Sequence, residues 1–520
     1  MPDTIFYNGT ILTMDPARPR VGALSLRGGK ILELDDGVQG TALSGTRRVD
    51  LAGRCLLPGF HDSHVHLTQH GFELSQLKLA DAPSLEQALT RVAERAQAAE
   101  PGTWLVGAGF STARWSVTSL DKGLLDKVAP HHPVYLRSQD HHSAWVNSLA
   151  LAAAGITRDT PDPRDGVIVR DQAGEATGML LELAQRLVGA AVPAPSDEDI
   201  RRALELAGED LARLGITCVH HMNYEPAAYW RELALAASRQ SYPLRVWACI
   251  NQDDIEAAAA IGLATGQGGD RFTVGGAKFF ADGALGSLTA WMLEPYGGPG
   301  NTGMAVHGPE VLAERLPKAI AAGLTPVVHA IGDAANRAVL DALEANLPAL
   351  QAAGLRPRVE HVQHLHPDDL ERLARLGAIA SVQAYHLVFD AKRISELLGD
   401  RLGRAYPIRS LLAAGAHLAF GSDTPVADPD VRLGLRAATE RRGEGGETLT
   451  PDEAIGVQEA LAAYTRGAAF AIGREARSGQ LKEGFDADLV VLSHNPLESL
   501  DGLEVLGTML AGRWTRELEG

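Results

Sequence analysis

The stretch "LLPGFHDSHVHL", Leu56–Leu67, carries three histidines and an aspartate within six residues of an otherwise apolar segment. Alternate side chains of a β-strand point to the same side, so Asp62, His64 and His66 share one face. Two imidazoles therefore meet at the C-terminal end of this strand. Imidazole is a good ligand for zinc-like ions, but two imidazoles alone do not hold such an ion. Further ligands must come from other strands.

After this strand the chain alternates strand-like and helix-like segments, which is typical of repeated βα units around a parallel sheet. The sequence is therefore predicted to be of the α/β class, with eight units closing a (β/α)8 TIM barrel over residues 58–67 and 214–474. The active site of such a barrel lies at the C-terminal ends of its strands. The eight predicted strands are residues 55–66, 216–222, 243–250, 272–282, 325–330, 357–363, 378–385 and 417–423.

Both ends of the chain are rich in short strands broken by glycine turns and are poor in helix. We therefore expect residues 1–57 and 475–520 to form one small composite β-sandwich outside the barrel. Residues 68–213 form a long insertion after the first barrel strand, with strand and helix patterns of their own. Because an insertion at this point emerges at the catalytic face, we expect an α/β lid or specificity region.

Charge and cysteine content exclude several classes of protein. The 520 residues carry a net charge of −17, whereas a nucleic-acid binder needs a basic face, so we expect no nucleic-acid partner. Three widely separated cysteines predict neither a disulfide framework nor a cysteine-rich zinc knuckle. The N-terminus does not have the pattern of a signal peptide, and no stretch of about 18 apolar residues occurs. We expect a soluble cytoplasmic protein that binds no membrane.

Three later strands each end in a residue that can bind a metal ion. His329 ends strand five in "PVVHAIGD", His361 ends strand six in "RVEHVQH", and Asp423 follows strand eight in "FGSDTPV". His364 and His366 are alternatives to His361 as the strand-six ligand. Ligands from several strands at one rim of a barrel are difficult to obtain by chance, so the sequence predicts a metal site there.

Strand four, "GGAKFFADG", places Lys278, Phe280 and Asp282 on one face. A lysine inside an apolar strand is costly unless it is paired, exposed or modified. Reaction with carbon dioxide would convert Lys278 into an anionic bridge between two cations, which gives the lysine a reason to be buried.

Seven motifs are spread over nearly the whole chain: "PGFHDSHVHL", "HHSAWVNSLAL", "AKFFADGALGSLTA", "VVHAIGD", "VEHVQH", "FGSDTPV" and "GFDADLVVL". Together they resemble the motifs of the amidohydrolase superfamily, and within it the YtcJ-type or N-substituted formamide deformylase-like branch, the amidohydrolase 3 type. The resemblance implies two divalent ions, with zinc expected and manganese, iron or cobalt as alternatives. The implied ligands are His64, His66 and Asp423 for the more buried ion, His329 and His361 for the second, and carboxylated Lys278 as the bridge.

This inventory predicts a hydrolase that cleaves the C–N bond of an N-substituted formamide or another acyclic amide. Metal binding lowers the pKa of water, the resulting hydroxide attacks the carbonyl, and Asp423 is the catalytic proton shuttle. We expect His142, Trp145, Asn147 and Asp282 to contact the substrate. Core packing is the alternative role for Trp145, and helix capping is the alternative role for Asn147.

Two other functions stay open at this point. A deaminase or cyclic-amide hydrolase could use the same barrel, although deaminase-type members rely on one metal and lack the strand-four lysine. A non-catalytic scaffold would be expected to have lost ligands, and none of the six is missing. The chain departs from similar proteins at His61, where an apolar residue is common, and at His141, where glycine is usual. The expected partners are a small-molecule amide and a second copy of the chain in a homodimer.

Overall fold

The computed structural model of the chain describes residues 3–34, 45–117, 119–139, 142–297 and 300–518. These residues form two compact units. One unit comprises Met1–Gly71 with Ile200–Gly520, and the other comprises Phe72–Asp199.

Strands and helices alternate through most of the chain. The strands are β1 (Thr4–Leu12), β2 (Arg20–Arg27), β3 (Lys30–Leu34), β4 (Arg47–Asp50), β5 (Cys55–Pro58), β6 (Phe60–Val65), β7 (Leu77–Lys78), β8 (Leu105–Phe110), β9 (Val134–Ser138), β10 (Ser143–Val146), β11 (Gly166–Arg170), β12 (Ala176–Glu182), β13 (Ile216–His221), β14 (Arg245–Asn251), β15 (Phe272–Phe280), β16 (Pro326–Ala330), β17 (Arg358–His361), β18 (Ile379–Val382), β19 (His417–Phe420), β20 (Leu489–Leu492), β21 (Val505–Leu510) and β22 (Arg513–Arg516). The α-helices are α1 (Leu67–Ser75), α2 (Leu85–Ala98), α3 (Thr112–Trp115), α4 (Lys122–Val128), α5 (Ser148–Ala153), α6 (Gln185–Gly189), α7 (Asp197–Arg213), α8 (Ala227–Ala237), α9 (Ile255–Ala260), α10 (Pro309–Ala321), α11 (Asp333–Ala345), α12 (Leu347–Ala353), α13 (Leu370–Arg375), α14 (His386–Leu398), α15 (Ile408–Ala413), α16 (Val431–Glu440), α17 (Val457–Ala462) and α18 (Ala468–Ala471).

Eight parallel strands of the larger unit form a nearly closed barrel. Their order is β6-β13-β14-β15-β16-β17-β18-β19, so each strand pairs with the next one along the chain. A parallel bridge between Val65 and Thr424 links the first strand to the chain after the last. A Cβ at Gly421 would lie 2.5 Å from the backbone nitrogen of His64, so glycine allows this close approach. The arrangement brings the C-terminal ends of all eight strands to one rim.

The predicted strand 55–66 is divided in two. β5 pairs with β20 and β1, whereas β6 begins at Phe60 and belongs to the barrel. Gly59 lies between them, and a Cβ at this position would come within 2.4 Å of Thr217 Oγ1. The contact with the neighbouring strand therefore marks the point where the chain leaves one sheet and enters another.

Strands from both ends of the chain form one eight-stranded sheet. Its order is β22-β21-β20-β5-β1-β2-β3, with β4 paired to β1. The sheet has a common apolar core, in which Phe6 and Leu24 pack with Leu489 and Met509. The pairing joins the two ends of the chain, while a two-layer sandwich stays a prediction.

The smaller unit has a sheet of its own in the order β11-β12-β10-β9-β8-β7, with mixed parallel and antiparallel pairs. Across the described part of the chain, no helix combines the length and the apolar character needed to cross a membrane.

Candidate metal centre

Side chains from the ends of the barrel strands meet at the rim. His64, His361 and Asp423 are buried, and each offers one possible ligand atom within 4.8 Å of the other two. His66 Nε2 lies 3.0 Å from Asp423 Oδ1, and the ring centroid of His329 lies 4.4 Å from that of His361. We call these five residues the strand-end cluster.

The backbone is strained where these side chains converge. His361 and Asp423 have φ angles of 75° and 65°, in the left-handed region that residues other than glycine rarely adopt. Each such residue costs roughly 1–3 kcal/mol and persists only where the surrounding structure enforces it. The strain coincides with the residues that the sequence identifies as ligands.

Hydrogen bonds fix the orientation of the first two histidines. His64 Nδ1 donates to Glu360 Oε2 at 2.7 Å, and His66 Nδ1 donates to the carbonyl oxygen of Met222 at 2.9 Å. The Nε2 atoms then face Asp423 Oδ1, at 3.4 Å from His64 and 3.0 Å from His66. Metal-bound histidines in proteins almost always donate their other ring N–H to a carboxylate or carbonyl in this way.

The strand-end cluster is rich in lone pairs and poor in donors. Burial lowers the pKa of His64 to about 4, so its ring is neutral at pH 7 and Nε2 carries no proton. Burial alone would raise the pKa of Asp423, but His64 and His66 hold that pKa well below its usual range. The Nε2 lone pair of His64 thus faces a carboxylate oxygen that has no aligned hydrogen bond within the described residues. A divalent cation between these atoms satisfies both, so the residues fit a metal.

Lys278 lies at the same site. Its side chain is buried, and Nζ has no hydrogen-bond partner among the residues that the structure describes. Nζ lies 4.7 Å from the ring centroid of Phe280. Burial lowers the pKa of Lys278, although the charges of Glu360 and Asp423 oppose this shift. A buried amine without a hydrogen-bond partner fits a covalently modified lysine better than a free ammonium ion.

His329 uses Nε2 to donate to the carbonyl oxygen of Gly283 at 2.9 Å. Its other ring nitrogen is thereby left for a ligand. Asp282 is buried beside it, 3.4 Å from His329 Nε2, and accepts hydrogen bonds from the backbone N–H groups of Trp291, Ile331 and Gly332. In this arrangement Asp282 organises the loops around His329, and its contact with a substrate stays a prediction.

The other predicted substrate contacts lie in the smaller unit. Trp145 is buried in an apolar core, and Asn147 caps α5 by accepting a hydrogen bond from Ala150 N at 3.0 Å. These are the two alternative roles considered for them from the sequence. His142 is exposed and lies 3.0 Å from a carboxylate oxygen of Glu182. Substrate contacts of all three stay predictions.

The alternatives for strand six occupy different places. His364 is buried outside the group formed by His64, His361 and Asp423, and His366 Nδ1 accepts a hydrogen bond from Asp368 N. His361 is the strand-six histidine of that group. Two positions differ from similar proteins in sequence. Of these, His61 is buried, and His141 lies outside the described residues.

Sequence reasoning missed three residues near the cluster. Glu360 holds His64, and Arg358 Nε donates to Glu360 Oε1 at 2.9 Å. Burial would raise the pKa of Glu360, but Arg358 and His64 lower it to about 2. His386 Nε2 lies 3.9 Å from Asp423 Oδ2. The sequence did contain signals for them. Arg358 and Glu360 are opposite charges two residues apart in an apolar strand, and His386 follows predicted strand seven.

Aromatic rings border the cluster. The ring centroid of Tyr224 lies 4.8 Å from that of His66, and the ring centroid of Phe280 lies 5.5 Å from that of His329. Tyr224 is 41% exposed, so this part of the rim is open to solvent.

Comparison with known proteins places these observations in a family. The sequence profile of the amidohydrolase family matches residues 47–515. YtcJ of Bacillus subtilis (strain 168) is 35% identical over 485 residues, which cover 90% of each chain. The N-substituted formamide deformylase of Arthrobacter pascens is 28% identical over 534 residues, which cover 98% of each chain. The crystal structure of a metal-dependent hydrolase from Pyrococcus horikoshii OT3 matches with a TM-score of 0.78 and 28% identity, covering 96% of this chain and 99% of that one.

Proposed function

This chain belongs to the amidohydrolase family and is a metal-dependent hydrolase, and we propose that it cleaves the C–N bond of an N-substituted formamide or another acyclic amide. The observation that carries the proposal is the group formed by His64, His361 and Asp423 at the rim of the barrel, beside buried Lys278. Similarity to the deformylase over almost the full length of both chains supports the choice of bond.

We propose that the site holds two zinc ions. His64, His66 and Asp423 would hold the more buried ion, and His329 and His361 would hold the second. In this proposal Lys278, as a carbamate, would be the anionic ligand shared by both. Its Nζ forms a bond to the carbon of carbon dioxide and releases a proton to solvent. The Lys278 amine has no hydrogen-bond partner among the described residues, and this supports the assignment, since a one-metal deaminase does not need this lysine.

The protein residues supply orientation and proton transfer. Bound divalent ions polarise a carbonyl oxygen and lower the pKa of water to near neutrality. Asp423, ionised at pH 7, accepts a proton from the attacking water and returns it to the leaving nitrogen. The water oxygen bonds to the carbonyl carbon and the C–N bond breaks, giving a carboxylic acid and an amine. With its backbone in the left-handed region, Asp423 places its carboxylate oxygen Oδ1 3.4 Å from His64 Nε2 and 3.0 Å from His66 Nε2.

The test is a screen of N-formyl, N-acetyl, carbamate, cyclic-amide and aminoheterocycle compounds against metal-reconstituted protein. We expect turnover of acyclic amides and about two equivalents of metal per chain. Turnover of only cyclic amides or aminoheterocycles, with one equivalent of metal, would favour the rival enzymes. A protein that binds no metal and turns over nothing would be a scaffold.

A matched pair of variants tests the role of the lysine. Lys278→Ala removes the proposed bridge, whereas Lys318→Ala removes an exposed lysine that contacts Glu314 on α10. We expect only the first variant to lose the second equivalent of metal.

We also propose that the protein is a cytoplasmic homodimer. The molar mass from light scattering tests the number of subunits.

A further inference from the structure

A buried ion pair lies behind His64, on the side of the ring that faces away from the proposed metals. Arg358 and Glu360 are both fully buried on β17. Glu360 Oε1 accepts a hydrogen bond from Arg358 Nε at 2.9 Å, and Oε2 accepts from His64 Nδ1 at 2.7 Å. We propose that Glu360 is a positioning residue that keeps the proton of His64 on Nδ1, so that the Nε2 lone pair points at the ion. The inference rests on the metal centre proposed above and deepens it.

Arg358 prevents the carboxylate of Glu360 from turning. Its Nη2 donates to the carbonyl oxygen of Ser63 at 2.7 Å and to Ser381 Oγ at 3.1 Å, and its Nη1 donates to His220 Nδ1 at 2.9 Å. These partners lie on three other barrel strands, so the guanidinium has a single orientation. Its Nε donates to Glu360 Oε1 at 2.9 Å and its Nη2 lies 3.4 Å from Oε2, so the charged guanidinium faces both oxygens of the carboxylate.

The position of one proton decides whether His64 can bind a cation. With the proton on Nδ1, Nε2 presents a lone pair 3.4 Å from Asp423 Oδ1, an arrangement that is unfavourable until a cation lies between them. With the proton on Nε2, His64 would instead donate to Asp423, and this hydrogen bond would close the site. An ionised carboxylate can only accept hydrogen bonds, so Glu360 stabilises the first tautomer.

Glu360→Gln distinguishes control of the His64 tautomer from a role of Glu360 in packing alone, because glutamine has nearly the same shape as glutamate. The two side chains that hydrogen-bond to the Glu360 carboxylate within the described residues, Arg358 and His64, both donate, but glutamine offers one acceptor oxygen and one donor nitrogen. The amide oxygen should face Arg358 Nε at the shorter distance, which leaves the amide N–H₂ group facing His64. His64 Nδ1 must then accept a hydrogen bond, so its proton moves to Nε2.

The experiment measures proton position and metal affinity on the full-length chain, without any substrate. Metal-free protein with ¹⁵N-labelled histidine reports which ring nitrogen of His64 carries the proton, with the signal assigned by its loss in His64→Gln. Competition with a chelator gives the affinity for Zn²⁺ alone. The control is Glu453→Gln, which alters a carboxylate that accepts hydrogen bonds from the backbone and hydroxyl of Ser410.

We expect the proton on Nδ1 in the wild type and in Glu453→Gln, and on Nε2 in Glu360→Gln. Zn²⁺ binding should weaken about 10- to 100-fold in Glu360→Gln alone, the usual effect of removing a partner behind a metal-bound histidine. Wild-type affinity in a folded Glu360→Gln variant would overturn the inference. A proton on Nε2 in the metal-free wild type would also overturn it, and that measurement decides even if the variant does not fold. Because no substrate is involved, failure of the proposed amide hydrolysis would leave both readouts unchanged.

Discussion

At the scale of single residues, the hydrogen-bond partner of one ring nitrogen determines which nitrogen of His64, His66 and His329 is left to bind a ligand. Strand periodicity was sufficient to predict that His64 and His66 share a face. The sequence could not identify Glu360 or Met222 as their partners, because these contacts depend on how strands that are distant in sequence are aligned. It placed Trp145 at the substrate with core packing as the alternative, and the structure has Trp145 in a core.

Asp423→Asn tests the proton shuttle. Asparagine keeps the size of the side chain and one oxygen ligand, but it cannot accept the proton from water. General-base assistance is typically worth roughly 10²- to 10⁴-fold in rate, so we predict a fall in kcat of at least that size with one or both metals retained. Metal content and turnover are measured on the same preparation.

Near-normal turnover of Asp423→Asn with a full complement of metal would contradict the shuttle role. Proton transfer would then move to a histidine of the larger unit such as His221 or His386.

At the scale of secondary-structure elements, the barrel explains how residues from far apart in the sequence come together. The sequence indicated where strands five, six and eight end, because each of these three carries a possible metal ligand just where an apolar run stops. It did not predict the break at Gly59, because the break depends on the closeness of Thr217 on the neighbouring strand. The consequence is that β6 is a short strand tied to the terminal sheet through β5.

Gly59→Ala tests this break. The added Cβ would lie within 2.4 Å of Thr217 Oγ1, so we predict a loss of roughly 1–3 kcal/mol in the free energy of unfolding. Urea denaturation gives the value, and Gly269→Ala is the control, because a Cβ at that glycine meets nothing within 4 Å. Adding Thr217→Ala should recover part of the loss. Equal stability of Gly59→Ala and the control would show that the close contact with Thr217 does not require glycine at the break between β5 and β6.

At the scale of the whole molecule, family membership expected from the sequence motifs is confirmed, since the family profile covers residues 47–515. The strand-rich character of both chain ends was predictable from their glycine turns. The sequence also predicted that the two ends combine, but it could not predict that β5 pairs with β20, because hydrogen bonding between remote strands leaves no local pattern.

Deleting residues from about 475 onward tests the dependence of the two ends on each other. The deletion removes β20 and uncovers apolar residues such as Phe6 and Leu56. It also removes Asp488, whose carboxylate pairs with buried Arg245 at 2.7 Å. Exposed apolar surface and a buried cation that has lost a partner both favour aggregation, so we predict insoluble protein. A soluble truncated chain that unfolds cooperatively would contradict the prediction, and the fraction in the supernatant measures the outcome.

We propose that the C-terminal ends of the barrel strands hold catalytic metal ions. The most direct measurement is anomalous X-ray diffraction at the zinc absorption edge from crystals of the zinc-loaded protein. We predict two peaks at the rim of the barrel, one of them within about 2.0–2.2 Å of Nε2 of both His64 and His66. Zinc bound elsewhere, or His64 and His66 turned away from the barrel axis, would contradict a metal centre at this rim.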